Sequence, residues 1–254
     1  MPTYTYTGGK YVPQGGGATI DPAAGFTSTL LSRNPAAPTK VMAVGDSITL
    51  GQGSERTGGW RHLLWGMLAD AGFFVTPVGW NTTNPIMPYD VSYPTRGTGF
   101  SAYGGWKIQD ICDQTAGRTG RPAGSPLGSD GIGAWLTTYN PEVILVLLGT
   151  NNTSDSDAVK VQAMSDFATA VFNAKPSMNV VWGSMPYQKG YKTTYPVTSM
   201  WATEWAKWTG KKIVKAEVAD TLGIADENFY DGIHPSIYGY ERIAQAWFTA
   251  LTTN

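Results

Sequence analysis

An unbroken apolar run at residues 143–148, Val-Ile-Leu-Val-Leu-Leu, restricts the fold more than any other feature of the sequence. Every side chain in the run is apolar, so both faces of the strand that it predicts must be buried. Burial on both faces is typical of a central strand in a parallel sheet. Parallel strands are joined by crossover connections, usually helices, which cover the faces of the sheet. The run therefore indicates an α/β domain.

Strand-like and helix-like segments alternate around this central run. Further strands are predicted at residues 41–44, 73–78, 179–185 and 212–218. Apolar residues at helical spacing predict helices at residues 60–71, 161–172, 201–208 and 237–251. Such alternation predicts a three-layer α/β/α architecture, in which a roughly five-stranded parallel sheet lies between two layers of helices.

The first 38 residues differ from the rest of the chain. Threonine and tyrosine alternate at residues 3–7 like a short strand, and glycines at 15–17 interrupt that pattern. We therefore expect residues 1–38 to be an extension or linker, which packs on the domain or tethers it to another chain or assembly. Residues 39–254 are expected to form one domain.

Composition excludes several classes of partner. The formal net charge is −1 and only 15% of the residues are charged, so no basic stripe is present to neutralise the phosphates of a nucleic acid. No apolar run approaches the length of about 18 residues that a membrane-spanning helix needs. The N-terminus shows no signal-peptide pattern.

Low charge with 10 Trp and 13 Tyr favours neutral polar ligands such as sugars, and an extracellular or virion-associated location.

The chain has one cysteine and two histidines, which limits the possible catalytic groups. Cys112 excludes an internal disulfide, and its amphipathic context predicts a buried structural thiol rather than a nucleophile. His62 lies off the apolar stripe of a predicted helix, so we expect it at the helix surface. His234 follows Asp231 by three residues, and an imidazole held by a carboxylate can activate a serine. Ser47 in Gly-Asp-Ser follows the first predicted strand, although such a serine is also a common helix N-cap.

Four short blocks together resemble the SGNH/GDSL hydrolase family, in family order over residues 39–254. They are Gly45-Asp-Ser47-Ile-Thr-Leu-Gly51, Tyr103-Gly-Gly105-Trp-Lys-Ile, Gly149-Thr-Asn151-Asn and Asp231-Gly-Ile-His234-Pro-Ser. The resemblance implies a flavodoxin-like fold. Within the family, the pattern is most similar to the acetyl xylan esterases of carbohydrate esterase family 3, although the stretch before the second block lacks a His-Glu pair that these enzymes commonly carry.

The resemblance also implies a role for each matching residue. Ser47 would be the nucleophile, His234 the general base and then acid, and Asp231 the residue that orients the imidazole. The oxyanion hole would be formed by the backbone N–H groups of Ser47 and Gly105 and by the side-chain amide of Asn151. No metal or organic cofactor is implied.

Two positions depart from the family pattern without supplying catalytic groups. Asn152 stands where the third block usually has aspartate, and Leu50 where the first block often has glutamate. We expect altered hydrogen bonding in the loops rather than lost activity. Asp155 and Asp157, which follow the third block, are expected to favour a helix N-terminus rather than to bind calcium.

Aromatic residues crowd the connection that leads into the second block and recur at residues 186–197. Aromatic faces can stack on sugar rings, so Tyr103, Trp106 and Tyr187 are candidates for binding the substrate. The predicted function is hydrolysis of O-acetyl or other short-chain esters, with an acetylated carbohydrate as the favoured substrate. The alternatives are a broader short-chain lipid or aryl esterase, an acyltransferase, and a carbohydrate-binding or virion adhesion module with a vestigial site.

Overall fold

A computed structural model describes residues 3–7, 10–14, 26–53, 58–82, 99–112, 131–190 and 196–253 of the chain. The strand predicted at the N-terminus is confirmed as β1 (Thr3–Thr7), which pairs antiparallel with β2 (Lys10–Gln14). The glycines at 15–17 lie outside the described residues, as do residues 83–98 and 191–195 of the two aromatic-rich connections.

The main sheet is parallel throughout. Its strands are β3 (Thr39–Gly45), β4 (Val75–Pro77), β5 (Ser101–Ala102), β6 (Val143–Leu147), β7 (Asn179–Gly183) and β8 (Ile213–Ala216). They run in the spatial order β4-β3-β6-β7-β8, and the short β5 pairs with the end of β3. Numbered along the domain, the five longer strands follow the flavodoxin-like order 2-1-3-4-5. The prediction of a roughly five-stranded parallel sheet is confirmed.

Helices cover both faces of this sheet, as the three-layer prediction requires. They are α1 (Ser47–Leu50), α2 (Gly59–Asp70), α3 (Ile108–Ile111), α4 (Ile132–Tyr139), α5 (Asp157–Ala174), α6 (Pro196–Ala206), α7 (Val218–Leu222) and α8 (Ile237–Thr252). Along β3, Val41 and Ala43 belong to the apolar core under α2, α7 and α8, while Met42 and Val44 belong to the core under α3 to α6. No helix in the described ranges is both long and apolar enough to cross a membrane.

Several predicted elements have different ends in the structure. The strand predicted at 73–78 is confined to β4, because Phe74 forms an isolated antiparallel bridge with Ser32 instead of pairing with β3. The helix predicted at 201–208 starts earlier, at Pro196, because proline suits the first turn of a helix. The segment containing Cys112 forms only the four-residue α3, but the thiol is buried as expected.

Residues 26–38 contact the domain. Leu30 and Leu31 are buried in the core beneath α2 and α8, and a guanidinium N–H of Arg33 donates to the Ala71 carbonyl over 3.1 Å. Ser32 forms an isolated antiparallel bridge with Phe74. This part of the expected extension therefore packs on the domain, and the domain boundary at residue 38 stays a prediction.

The strand register creates a crevice where β3 and β6 end. Gly45, the last residue of β3, is level with Leu147 of β6 and with Ala102 of β5. The chain leaves β3 toward β4 on one side and leaves β6 toward β7 on the other, so the two connections diverge. A Cβ on Gly45 would lie 2.7 Å from the Leu147 carbonyl oxygen and 2.0 Å from Thr49 Oγ1, so only glycine fits here. Divergence of this kind forms the binding crevice of open α/β sheets.

Candidate active site

Four segments meet at this crevice because each follows a strand or precedes the last helix. Ser47 begins α1, two residues beyond β3. Gly105 follows β5 by three residues, and Asn151 follows β6 by four. The segment with Asp231 and His234 precedes the N-cap of α8.

Ser47, His234 and Asp231 form a continuous hydrogen-bonded chain. The Ser47 Oγ and His234 Nε2 atoms are 3.0 Å apart, and His234 Nδ1 is 2.9 Å from Asp231 Oδ2. A carboxylate facing Nδ1 holds the proton on that nitrogen, which leaves the Nε2 lone pair directed at the serine hydroxyl. The Ser47 residue is 5% exposed and the His234 side chain is 15% exposed. The arrangement can transfer a proton from Ser47 to His234.

Asp231 is held in its ionised form by hydrogen bonds. Its Oδ1 accepts from the backbone N–H groups of Ile233 and His234, each over 2.7 Å, while Oδ2 faces the imidazole. Burial alone would raise the pKa of Asp231, but the hydrogen bonds from His234 and Ile233 bring it below the ordinary value. The residue is therefore an acceptor at neutral pH, as orientation of the imidazole requires.

Two buried charged residues support α1, the short helix that carries Ser47. Asp46 is its N-cap, and Asp46 Oδ1 accepts from the Ile48 N–H over 3.0 Å. At the other end, Arg61 Nε donates to the Thr49 carbonyl over 2.8 Å, and its guanidinium lies 3.5 Å from the centroid of the Phe100 ring. Burial lowers the pKa of Arg61 to about 9. Donors of this kind satisfy the carbonyls that a helix end leaves unpaired.

The Asp46 carboxyl is fully buried, next to Ser47 in the chain. Among the described residues, Asp46 Oδ2 has no partner in hydrogen-bond geometry, although the nearby Thr150 side chain favours the ionised form. Burial raises the pKa of Asp46 to about 6, and the hydrogen bond from Ile48 and the nearby His234 only partly oppose this rise. Because an ionised buried carboxylate is costly, Asp46 retains its proton to a higher pH than an exposed aspartate.

The expected oxyanion donors lie on segments that contact each other. Asn151 Nδ2 donates one hydrogen bond, 2.9 Å long, to the Trp106 carbonyl. An amide nitrogen carries two N–H groups, so the contacts within the described residues leave a second donor for a ligand. Gly105 has φ of 79°, a left-handed conformation that suits glycine and exposes its backbone. The assignment of Ser47, Gly105 and Asn151 to an oxyanion hole stays a prediction.

The three candidates for substrate binding lie in different environments. The Trp106 side chain is fully buried and stacks on Trp135 with ring centroids 5.9 Å apart, so it offers no open face to a sugar. Tyr103 is partly buried and packs against the same core. Tyr187 lines a cleft of about 450 Å³ beside the ends of β7 and β8, and its hydroxyl donates to Asp220 over 2.7 Å. Of the three, Tyr187 is best placed to meet a ligand.

Comparisons with known proteins agree with this geometry. No protein-family profile matches the sequence. A multidomain esterase from Ruminococcus flavefaciens is 24% identical over 238 residues, which cover 84% of this chain and 28% of that protein, so the chain spans well under half of its relative. A family 3 carbohydrate esterase from Clostridium thermocellum superposes with a TM-score of 0.62 at 23% identity, covering 84% of this chain and 94% of that one. A G-D-S-L family protein from Desulfitobacterium hafniense superposes with a TM-score of 0.50 at 14% identity, covering 84% of this chain and 99% of that one.

The chain has the fold of the SGNH/GDSL hydrolases. The resemblance seen in the four sequence blocks is thus confirmed at the level of the fold, and the similarity to carbohydrate esterase family 3 extends over most of the chain. In this chain the first and third blocks lie at the crevice between β3 and β6, where Ser47 and Asn151 are found.

The two departures from the SGNH/GDSL pattern are both accommodated. Leu50 is partly buried and packs against the core under α2 and α8. Asn152 is fully buried, and its side chain forms hydrogen bonds to Ile108, Gln109 and Asp155. The hydrogen bonding in this loop, which we expected to differ from the family pattern, is therefore made by the side-chain amide of Asn152.

Sequence reasoning missed several polar residues that support the site. Asp46 and Arg61 were not singled out, although a charged residue next to a nucleophile or inside an apolar helix signals a buried ion. Asp157 lies in the first turn of α5 as expected, whereas Asp155 pairs with Lys107 at 2.5 Å. His62 is partly buried on α2. In the described ranges, no group of three or more His, Cys, Asp or Glu side chains could hold a metal ion.

We expect Asp46→Asn to stabilise the folded protein increasingly as pH rises from 4 to 7. The folded chain keeps the Asp46 proton up to about pH 6, while the unfolded chain releases it near 3.8, so the contribution of Asp46 to the free energy of unfolding falls across this window. Asparagine keeps the N-cap acceptor but does not ionise. The difference in free energy of unfolding between variant and wild type should therefore grow by up to about 3 kcal/mol. Urea unfolding at several pH values measures this difference.

The control for this experiment is Asp226→Asn, which removes a carboxylate whose side chain is 77% exposed. This control should show no comparable growth with pH. If the difference in free energy of unfolding between Asp46→Asn and wild type stayed constant from pH 4 to 7, the raised pKa of the buried Asp46 would be contradicted.

Proposed function

We propose that the chain is a serine esterase that removes acetyl or other short acyl groups from esters of carbohydrates. The observation that carries the proposal is the Ser47–His234–Asp231 chain, with distances of 3.0 and 2.9 Å, at the crevice of the sheet. The esterase names of the curated relative and of the family 3 structural neighbour support the same reaction class.

In the first half of the proposed reaction, Ser47 Oγ attacks the acyl carbon while its proton passes to His234 Nε2. The carbonyl oxygen of the ester becomes an oxyanion, which the N–H donors of Ser47, Gly105 and Asn151 would stabilise. The imidazolium then gives its proton to the alcohol oxygen as the C–O bond breaks. An alcohol leaves and the acyl group remains on Ser47.

In the second half, water takes the place of the alcohol. His234 Nε2 accepts a proton from water as the water oxygen attacks the acyl carbon, and it returns that proton to Ser47 Oγ when the acyl–serine bond breaks. Asp231 stabilises the imidazolium that forms in each half, without itself taking up the proton. The products are a carboxylic acid and the free enzyme, so the cycle needs no metal or organic cofactor.

The carbohydrate part of the ester suits the cleft beside β7 and β8. This cleft lies at the same edge of the sheet as Ser47, and its lining includes Tyr187, Thr198, Glu217 and Asp220. Hydroxyl and carboxylate groups of this kind bind the hydroxyls of a sugar. The hydrogen bond to Asp220, with a contribution from burial, raises the pKa of Tyr187, so its hydroxyl stays a donor.

Ser47→Ala tests the reaction most simply. Release of p-nitrophenol from p-nitrophenyl acetate should fall by roughly 10⁴-fold or more, because the nucleophile is lost. With wild type, the acetate ester should turn over much faster than the octanoate ester. Similar turnover of both esters would favour a broader lipid or aryl esterase, and transfer of the acyl group to an added alcohol would identify an acyltransferase.

Equal slow release by wild type and Ser47→Ala would contradict the serine mechanism. Retained binding of an oligosaccharide in that case would favour a carbohydrate-binding or adhesion module.

Tyr187→Phe tests the place of the sugar. Loss of the hydroxyl should raise KM for an acetylated xylo-oligosaccharide by about fivefold, the effect of one hydrogen bond. Turnover of p-nitrophenyl acetate, which has no sugar, should stay unchanged. Tyr238→Phe, at a tyrosine that is 59% exposed on α8, is the matched control. An unchanged KM for the oligosaccharide in Tyr187→Phe would remove the cleft from the binding site.

A further inference from the structure

A cluster of polar side chains joins the segment after β5 to the segment after β6. We call this cluster the polar clamp; it consists of Lys107, Gln109, Asn152 and Asp155. At its centre, Asn152 is fully buried. The Asn152 Oδ1 atom accepts from the Ile108 N–H over 3.0 Å, and its Nδ2 donates to Gln109 Oε1 over 2.8 Å and to Asp155 Oδ2 over 2.9 Å. Both N–H groups of this amide are thus satisfied inside the protein.

The remaining members of the polar clamp enclose Asp155. Lys107 Nζ lies 2.5 Å from Asp155 Oδ1, and Gln109 Nε2 donates to Asp155 Oδ2 over 3.1 Å. The Asp155 side chain is only 13% exposed, and burial alone would raise its pKa. Hydrogen bonds from Lys107, Gln109 and Asn152 instead bring the pKa below its ordinary value. Asp155 is therefore a carboxylate at neutral pH, and it needs donors on every side.

The polar clamp lies directly behind the two segments that carry expected oxyanion donors. Asn152 follows Asn151, and Ile108 is three residues beyond Gly105. Two of the hydrogen bonds that cross between the segments involve backbone groups: from Asn151 Nδ2 to the Trp106 carbonyl, and from the Ile108 N–H to Asn152 Oδ1. Because these bonds run in opposite directions between neighbouring residues, they fix the separation of the segments.

We propose that Asn152 is a positioning residue, which acts through this pair of segments to hold the Gly105 N–H and the Asn151 amide at the spacing that an oxyanion needs. The inference rests on the proposed esterase function. An amide is required at position 152 because one end must accept from a backbone N–H while the other donates to a carboxylate. Aspartate has the same shape, but it would place a second carboxylate within 2.9 Å of Asp155 Oδ2, where a donor now lies.

The test is a reciprocal exchange of the two side chains. Asn152→Asp alone should lower kcat for p-nitrophenyl acetate by about 10- to 100-fold with little change in KM, because misplaced donors weaken binding of the transition state more than of the substrate. Combining it with Asp155→Asn restores one amide facing one carboxylate and keeps the net charge. The double variant should recover most of the lost kcat. Asp157→Asn, at the exposed acidic residue that pairs with Lys160, is the control and should resemble wild type.

Hydrogen exchange of residues 101–112 supplies a readout that does not depend on catalysis. Exchange in this segment should accelerate in Asn152→Asp and return toward the wild-type rate in the double variant. If Asn152→Asp does not fold, Asp155→Asn alone replaces it, and its kcat should fall in the same direction because Asn152 Nδ2 loses a charged acceptor.

Three outcomes would overturn the proposal. The first is an unchanged kcat in a folded Asn152→Asp or, where that variant does not fold, in Asp155→Asn. The second is a double variant that recovers stability and exchange protection without recovering kcat, since Asn152 would then be only structural. The third is unchanged exchange in folded Asn152→Asp. Failure of the proposed esterase function would look different from all three outcomes. The wild type would then hydrolyse no ester, while hydrogen exchange of residues 101–112 would still accelerate in Asn152→Asp and return toward the wild-type rate in the double variant.

Discussion

The parallel pairing of β3 with β6 is the constraint on which the rest of the structure depends. This pairing brings Gly45 level with Leu147, and the connections that leave these two strand ends run to opposite sides of the sheet. The crevice between them receives Ser47 from one strand and Asn151 from the other. The other proposed groups come from elsewhere: Gly105 from the segment after β5, and His234 and Asp231 from the segment before α8. A slip in this register would separate Ser47 from Asn151 in the third block.

Buried polar groups hold the crevice in place, because apolar packing is not directional enough to orient a hydroxyl or an amide. Asp46 and Arg61 fix the two ends of the helix that begins with Ser47, and the polar clamp fixes the segments on the opposite side. A buried polar group is costly unless its hydrogen bonds are made, so each such residue restricts its neighbours strongly. Directional hydrogen bonds therefore hold the residues of the site in addition to apolar packing.

Much of this fold could be predicted from the sequence because apolar periodicity reports burial directly. The run at 143–148 and the stripe on α8 identify a central strand and a covering helix, and the resemblance of four blocks points to Ser47, His234 and Asp231, which the structure brings together. The polar clamp could not be predicted, since Lys107, Gln109 and Asp155 are ordinary surface residue types that become partners only in three dimensions. Burial of Trp106 was missed for a similar reason: an aromatic residue in a loop can face either the solvent or the core, and here it stacks on Trp135.

The central claim is that Ser47 is the nucleophile, and covalent labelling tests it most directly. A fluorophosphonate phosphonylates a serine that an imidazole activates, with fluoride as the leaving group, and peptide mapping by mass spectrometry locates the modified residue. The account predicts one adduct per chain, on Ser47, with ester hydrolysis lost in proportion to labelling. An adduct on another residue, or full hydrolysis by a chain whose Ser47 is completely modified, would contradict it.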